Sequence, residues 1–360
     1  MNLTVEHKAL FCLLRAGLWE REVDDLSLFP LTDEQWGNVY YMAIQQTVAA
    51  IVYRGLHHLP EEYLPCESLM IRWVAKVDQT EQHNIKMNEA QAKLLRLLTD
   101  GGLKPVILKG QGVAAFYEYP LLRDCGDIDV FFPKKGEEQT AAELLRKAGC
   151  SVERHPDGSN CYQWEDVEVE HHPRLFDVYN PRKKSYLAAL VEKYGFDSVN
   201  ELPVPSPIPN LLLLNTHLLK HLMGHGVGLR QFCDMARAYH SLQGQYAPKE
   251  LDEVYKKVGL EKWSAQLHSF LTKLLGLNPD VLPSANNDIP VSRQLLEIVL
   301  EGGNFGQYGD TKGSASQPQW RRKMNTLMSF FKHSGFSFEY ARCEALWTTV
   351  ELIKGNLKLK

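Results

Sequence analysis

The spacing of apolar positions changes twice along the chain. Over the first hundred residues it is helical. Thr32 to Gln35 forms a capping-box pattern, and Trp36, Val39, Tyr40, Ala43, Ile44, Thr47, Ala50 and Ile51 follow at the spacing of one helix face. A long amphipathic helix is expected to start there. Another is expected over Asn84 to Leu98, with Leu94, Leu95, Leu97 and Leu98 on its apolar side and Gly101-Gly102 as its stop. From Pro105 the apolar runs become short and are divided by turns. Pro105-Val106-Ile107-Leu108 suits a buried strand, and a glycine turn and a helix through Val113 to Phe116 follow, broken by Pro120. Asp127-Ile128-Asp129-Val130-Phe131-Phe132 reads as a second strand, Glu137 to Lys147 as a helix ended by Gly149, and Val167-Glu168-Val169-Glu170 alternates as a third strand. The proline-rich stretch Val204 to Pro209 reads as a linker, and helices return with Leu211 to His225 and Leu229 to Leu242. The expected organisation is a small α/β unit over residues 101–204, with helical regions over 1–100 and 205–360 on either side.

Composition narrows the class of protein. A chain of 360 residues is long enough to bury a large core in two or three units folded together. Hydrophobic residues at 44% and charged residues at 23% are ordinary values, which excludes a disordered or fibrous chain. The net charge of −4 gives no general attraction for a phosphate backbone, so nucleic acid is not favoured as a partner, and an anion would need a local basic cleft. Glu6, Lys8 and Arg15 interrupt the first apolar stretch, so no signal peptide is read. No run approaches the ~20 apolar residues of a spanning helix, the nearest being Leu211 to Leu214, and no membrane association is expected. The seven cysteines, Cys12, Cys66, Cys125, Cys150, Cys161, Cys233 and Cys343, are scattered and form no CxxC pair, which fits reduced thiols in a cytoplasmic protein.

Asp127 and Asp129 bring in chemistry. Residues two apart on a strand project to one face, so the two carboxylates can share a hard cation through oxygen, as Mg²⁺ or Mn²⁺ prefers. Left unpartnered inside an apolar strand they would be costly, so a cation or a basic group must accompany them; a structural salt bridge to Arg123 is the plainer alternative. Two metals about 3.5–4 Å apart activate an attacking oxygen and neutralise a leaving phosphate. A third carboxylate from a neighbouring strand would complete the set. Upstream, Lys109-Gly110-Gln111-Gly112 lies at a strand-to-helix turn, where backbone N–H groups favour bound phosphate. Lys109 would act there as a point charge and Arg123 as a bidentate donor.

The block Leu108-Lys109-Gly110, a short helix, then Leu122-Arg123-Asp124-Cys125-Gly126-Asp127-Ile128-Asp129-Val130 resembles the uncharacterised nucleotidyltransferase family of bacteria, a branch of the DNA polymerase beta-type nucleotidyltransferase superfamily. That family's pattern continues with an acidic residue two before a histidine, matched here within Val169-Glu170-His171-His172-Pro173-Arg174-Leu175. The specific motifs cover about 70 central residues, while Leu229-Arg230, Asp234 and Gly303-Asn304-Phe305-Gly306 are weaker similarities in the flanks. The resemblance implies an α+β fold with a small mixed-sheet nucleotidyltransferase core between helical regions. It also implies Mg²⁺ or Mn²⁺ on Asp127, Asp129 and Glu170, an NTP as donor, and His172 as the family histidine; His172 reads equally as a substrate contact or as a hydrogen bond that fixes the strand end, and Glu168 is a further candidate for substrate contact. The acceptor, a small molecule or a protein, carries no sequence signature. Glu168 competes with Glu170 for the third carboxylate because both lie on the same face of the strand, and Gln111 stands where the wider superfamily has Ser or Gly.

Other features have plainer readings. His217, His221 and His225 recur every four residues but lack the acidic partner of a His-Glu-x-x-His zinc motif, so packing and capping are expected of them, with one free to face the cleft. Arg321-Arg322-Lys323 and Arg182-Lys183-Lys184 read as solvated helix starts, and Trp36, Trp73, Trp164, Trp263, Trp320 and Trp347 as core anchors. Gln111 also motivates a competing function, a nucleotide-binding scaffold without turnover. A glycosyltransferase that uses Asp-x-Asp accounts neither for the Lys-Gly turn nor for the later acidic strand.

Overall fold

The computed structural model describes residues 3–155, 158–224, 226–283, 289–303 and 334–357, with side chains up to Glu351. Trp320, Arg321, Arg322, Lys323, His225 and the stretch from Asn304 to Gly306 lie outside the described residues.

Local signals place the first helices. Thr4 caps α1 (Val5–Trp19), its hydroxyl accepting from the His7 amide. The capping box opens α2 (Asp33–Gln45) as expected: the Thr32 hydroxyl accepts from Gln35 N–H at 3.3 Å and Gln35 Oε1 accepts from Thr32 N–H at 2.9 Å. The apolar spacing that continues to Ile51 does not stay on one helix. Thr47 turns to φ 52°, and a separate helix, α3 (Ala49–Leu56), begins two residues later. Periodicity alone missed the break because buried positions continue on both sides of it, Trp36, Val39, Tyr40 and Ala43 in α2 and Ala50 and Ile51 in α3. The stretch expected over Asn84 to Leu98 is the C-terminal half of a much longer helix, α4 (Glu67–Asp100), ended by Gly101.

The central unit is a mixed sheet. Its strands are β1 (Val106–Leu108), β2 (Ile128–Phe131), β3 (Glu153–Arg154), β4 (Asn160–Trp164) and β5 (Val167–His172), in spatial order β1-β2-β5-β4-β3. β1 and β2 are antiparallel, joined through α5 (Lys109–Ala114). β2 and β5 are parallel, with Asp129 opposite Glu170, and α6 (Glu137–Lys147) lies in the connection between them. Alternation gives the sheet two unlike faces. Ile128, Val130, Val167 and Val169 enter an apolar cluster with Met87, Ala90, Leu94 and Leu98 of α4 and with Ala141 and Leu145 of α6. Asp129, Glu170 and His172 point the other way, a separation that the alternating burial of β5 makes plain.

That second face is closed by the C-terminal helices. After α7 (Lys184–Tyr194) the chain forms a hairpin, β6 (Phe196–Val199) and β7 (Leu202–Pro205), and enters α8 (Pro207–Gly224) directly. The proline-rich stretch expected as a linker is therefore structured: Pro205 ends the hairpin, and Pro207 opens α8, where a missing N–H costs nothing. α9 (Leu229–Ser241) packs on α8 and against α5. With α10 (Pro248–Val258), α11 (Glu261–Lys273) and the N-terminal helices it shares one continuous apolar cluster, anchored by the fully buried Trp36, Trp73, Trp263 and Phe232. The fold is α+β, a small mixed sheet between helical regions.

Candidate functional site

The Lys109-Gly110 turn sets one edge of the site. Both residues take positive φ, 36° and 42°, and a Cβ on Gly110 would come within 3.3 Å of the Asp127 carbonyl, so a side chain there would be strained in conformation and tight in space. Because Leu108 pairs with Asp129, the turn delivers the Lys109 ammonium to Asp129 Oδ1 at 3.1 Å. The other edge, the loop before Asp127, is held from behind by α4. Buried Asn84 donates to the carbonyls of Leu121 (2.6 Å) and Arg123 (2.9 Å), and His83 meets the Cys125 carbonyl at 3.1 Å.

Asp127, Asp129, Glu170 and His172 line one cleft together with Lys109 and Gly110. His172 Nε2 hydrogen-bonds Asp129 Oδ1 and lies 3.8 Å from Glu170 Oε2. Asp129, Glu170 and His172 each offer one ligand atom within 4.8 Å of the others, the dimensions of a cation site. This close set differs from the expected trio: His172 belongs to it, while Asp127 lines the same cleft outside it. Asp129, 4% exposed, would be raised by its burial, but Lys109 and His172 outweigh that and hold its carboxyl well below the usual range. Asp127 goes the opposite way. The negative charge of Asp129 and its own burial raise its carboxyl to about 6.

The remaining expected residues fall in different places. Glu168 is exposed and faces a separate cavity lined by Cys150, Cys161, Gln163 and Glu165, so the parallel register brings Glu170, not Glu168, beside Asp129. Gln111 and Gly112 do not line the cleft. Gln111 Oε1 accepts from the Cys125 thiol at 3.5 Å, and a Cβ on Gly112 would meet Val204 and Ile107. Arg123 does line it, but its guanidinium is forked onto Asp234, Nε to Oδ1 at 3.0 Å and Nη2 to Oδ2 at 2.6 Å, with the Tyr117 hydroxyl also donating to Oδ1 at 2.7 Å. The salt bridge weighed for Arg123 thus exists, with Asp234 of α9 as its partner in place of the strand aspartates.

Facing the sheet is a wall of side chains from α8 and α9. Asp177, just beyond β5, accepts from His217 Nδ1 (2.9 Å) and from Lys220 (3.0 Å), and His217 Nε2 meets His221 Nε2 at 3.0 Å. Burial, reinforced by the charge of Lys109, pushes His217 down to about 4, so it stands neutral at pH 7 with Asp177 fixing its proton on Nδ1. His217 and His221 line the cleft, in place of the capping role expected for this histidine series. Sequence reasoning gave no role to Asp177, Lys220 or Gln231, and noted Arg230 and Asp234 only as weak similarities. No local signal marks them, since Asp177 meets His217 across 40 residues and Arg123 meets Asp234 across 111. The cleft encloses about 160 Å³, below the ~300 Å³ at which small-molecule pockets begin, so it admits the reacting end of a ligand rather than a whole nucleotide.

The arrangement defines a class: a mixed α+β protein whose cleft sets clustered carboxylates on a sheet against cations on helices. A family model described as an uncharacterised nucleotidyltransferase matches residues 32–276, and the chain belongs to that family. No curated protein and no solved structure matches it. Among the described residues, no helix is long and apolar enough to cross a membrane.

Proposed function

We propose that the protein is a metal-dependent nucleotidyltransferase of the DNA polymerase beta type, moving a nucleotidyl group from an NTP to a hydroxyl or phosphate acceptor. The observation that carries the reading is the gathering of Asp129, Glu170 and His172 within 4.8 Å, with Asp127 raised to about 6 beside them. Carboxylates placed so close repel one another unless a cation is shared, and the predominance of oxygen donors suits Mg²⁺ or Mn²⁺. Asp127, Asp129, Glu170 and His172 would hold the ion, which supplies charge neutralisation for the leaving phosphate and activation of the attacking oxygen.

The chain's own groups have separable tasks. Lys109 keeps Asp129 ionised, the form a ligand must have. Glu170, half-buried at the open side of the set, orients the acceptor and takes its proton. The Arg123–Asp234 pair ties the Asp127 loop to α9 and so fixes the distance between the two walls. Gln111 lies off the cleft and supplies no phosphate contact there, so the scaffold reading stands or falls on the turnover assay below.

The test is transfer of label from α-labelled NTPs to candidate acceptors, the protein itself included, with Mg²⁺ or Mn²⁺. Metal-dependent product that disappears in Asp127→Ala and Asp129→Ala is the expected result. Product that persists in both variants would sink the assignment.

A further inference from the structure

Three of the four cations on the cleft already have carboxylate partners. Lys109 meets Asp129, Arg123 is forked onto Asp234, and Lys220 meets Asp177. Arg230, near the start of α9, differs: among the described residues no carboxylate pairs with it. It is only 8% exposed. Its Nη1 donates to the Asp124 carbonyl at 2.6 Å, while its Nε is buried without a hydrogen-bond partner. A buried donor left in that state is costly, the more so on a charged group. Arg237, two turns further along α9, also has no carboxylate partner among the described residues but is completed by the protein. Its Nε donates to the Phe116 carbonyl (2.7 Å) and its Nη1 to the Leu18 carbonyl (3.2 Å), with the Trp19 ring beneath it. Arg230 has no such completion and borders the cleft beside the carboxylates. The Asp127 carboxyl, raised by Asp129 and by burial, is drawn back by Lys109 and by Arg230, so the guanidinium lies within electrostatic reach of the cation site.

Of the groups expected to hold phosphate, only the Gly110 backbone remains on the cleft without a charged partner of its own. Gln111 and Gly112 are off the cleft, and Lys109 and Arg123 are engaged. We propose that Arg230 grips the phosphate chain of the nucleotide, so that the charged phosphate contact comes from α9 and not from the side chains of the turn after β1. A planar guanidinium matches two phosphate oxygens at once, and the cleft volume suits a phosphate group. The identity of the ligand as a nucleotide rests on the transferase reading; the anion site itself does not.

The experiment is calorimetry on the full chain with a non-hydrolysable Mg²⁺·ATP analogue and, separately, with inorganic pyrophosphate. Wild type is expected to bind the analogue, and Arg230→Gln to weaken it by at least about tenfold. Arg230→Lys keeps the charge without the fork and is expected to weaken binding by about threefold or more, which decides the matter if thermal melts show that Arg230→Gln does not fold. Unchanged affinity for the analogue in a folded variant overturns the proposal, as does a wild type that binds neither ligand. Weakening of pyrophosphate alone overturns the nucleotide as the source of the anion. Binding of the analogue through Arg230 without transfer in any assay would retire the transferase reading and leave this one standing. Transfer with an unchanged KM for NTP in Arg230→Gln would do the reverse.

Discussion

The two walls of the cleft are made in different ways. The sheet wall takes Asp129 from β2, Asp127 from the residue just before it, and Glu170 and His172 from β5, and the parallel β2–β5 register brings Asp129, Glu170 and His172 together. The helical wall takes Asp177 from a loop, His217, Lys220 and His221 from α8, and Arg230 and Asp234 from α9. Their electrostatics differ too. The sheet wall is left with a carboxyl raised to about 6 by its neighbour, whereas the helical wall closes its charges into pairs, with Arg230 as the exception. One wall is therefore incomplete without a cation. The other is a framework finished except at Arg230.

The sharpest way to break this contrast is to remove the centre of the sheet wall. Asp129→Asn keeps the shape and deletes the charge shared by Lys109 and His172, and transfer is expected to fall on the order of 10⁴-fold in steady-state assays with labelled NTP. Its melting temperature with Mn²⁺ should no longer rise above that without it. On the helical wall the corresponding cut is structural. Asp234→Asn leaves the Arg123 guanidinium buried without its counter-charge, and urea unfolding should show a loss of about 3–5 kcal/mol. Arg123→Met combined with Asp234→Leu should recover much of that. A loss below about 1 kcal/mol in Asp234→Asn would mean that the pair does not join the walls.

The contrast also explains what could be read in advance. A period of two and a glycine turn are local, so the strand that carries Asp129 with Asp127 just before it, and the strand-to-helix turn at Lys109-Gly110, were legible, while the α+β architecture followed from the family resemblance. The helix break at Thr47 was not, because burial on either side of it kept the same period. The role of Arg123 was not either. A guanidinium four residues from an aspartate reads as its partner or as a phosphate donor, and only the fold reveals Asp234 within 2.6 Å. Asp177 and Lys220 belong to the same class of long-range pairing, invisible until α8 lies across the sheet.

The choice between Glu168 and Glu170 sharpens the reading of the sheet wall. Alternation alone puts both on one face; register separates them, with Glu170 beside Asp129 and Glu168 opposite Gln163 over another cavity. Glu170→Gln is expected to lower kcat by about 100-fold. Glu168→Gln should leave it within about twofold. Equal losses in the two variants would show that the strand shifts by two residues in the working protein, and the cation set would have to be redrawn.

The smallest effect tests whether the helical wall is as closed as its pairs indicate. His217 is held near 4 by burial and by Lys109, against an unfolded value of about 6.5, with Asp177, Lys220 and His221 as its other charged or titratable neighbours. Below pH 6.5 the unfolded chain takes up a proton there that the folded chain refuses until about pH 4. The stabilisation is thus complete above pH 6.5 and is lost as pH falls toward 4. Asp177, also depressed, adds nothing in that window, because its contribution fades only below its unfolded value of about 3.8. His217 retains some exposure, which screens the effect, so its share between pH 7 and pH 5 is about 1–2 kcal/mol. His217→Gln can keep a hydrogen bond to Asp177 but does not titrate, and its urea stability should change with pH by that much less than wild type. Parallel pH profiles for the two proteins would show that the imidazole titrates freely in the fold, and that water reaches the cleft past α8.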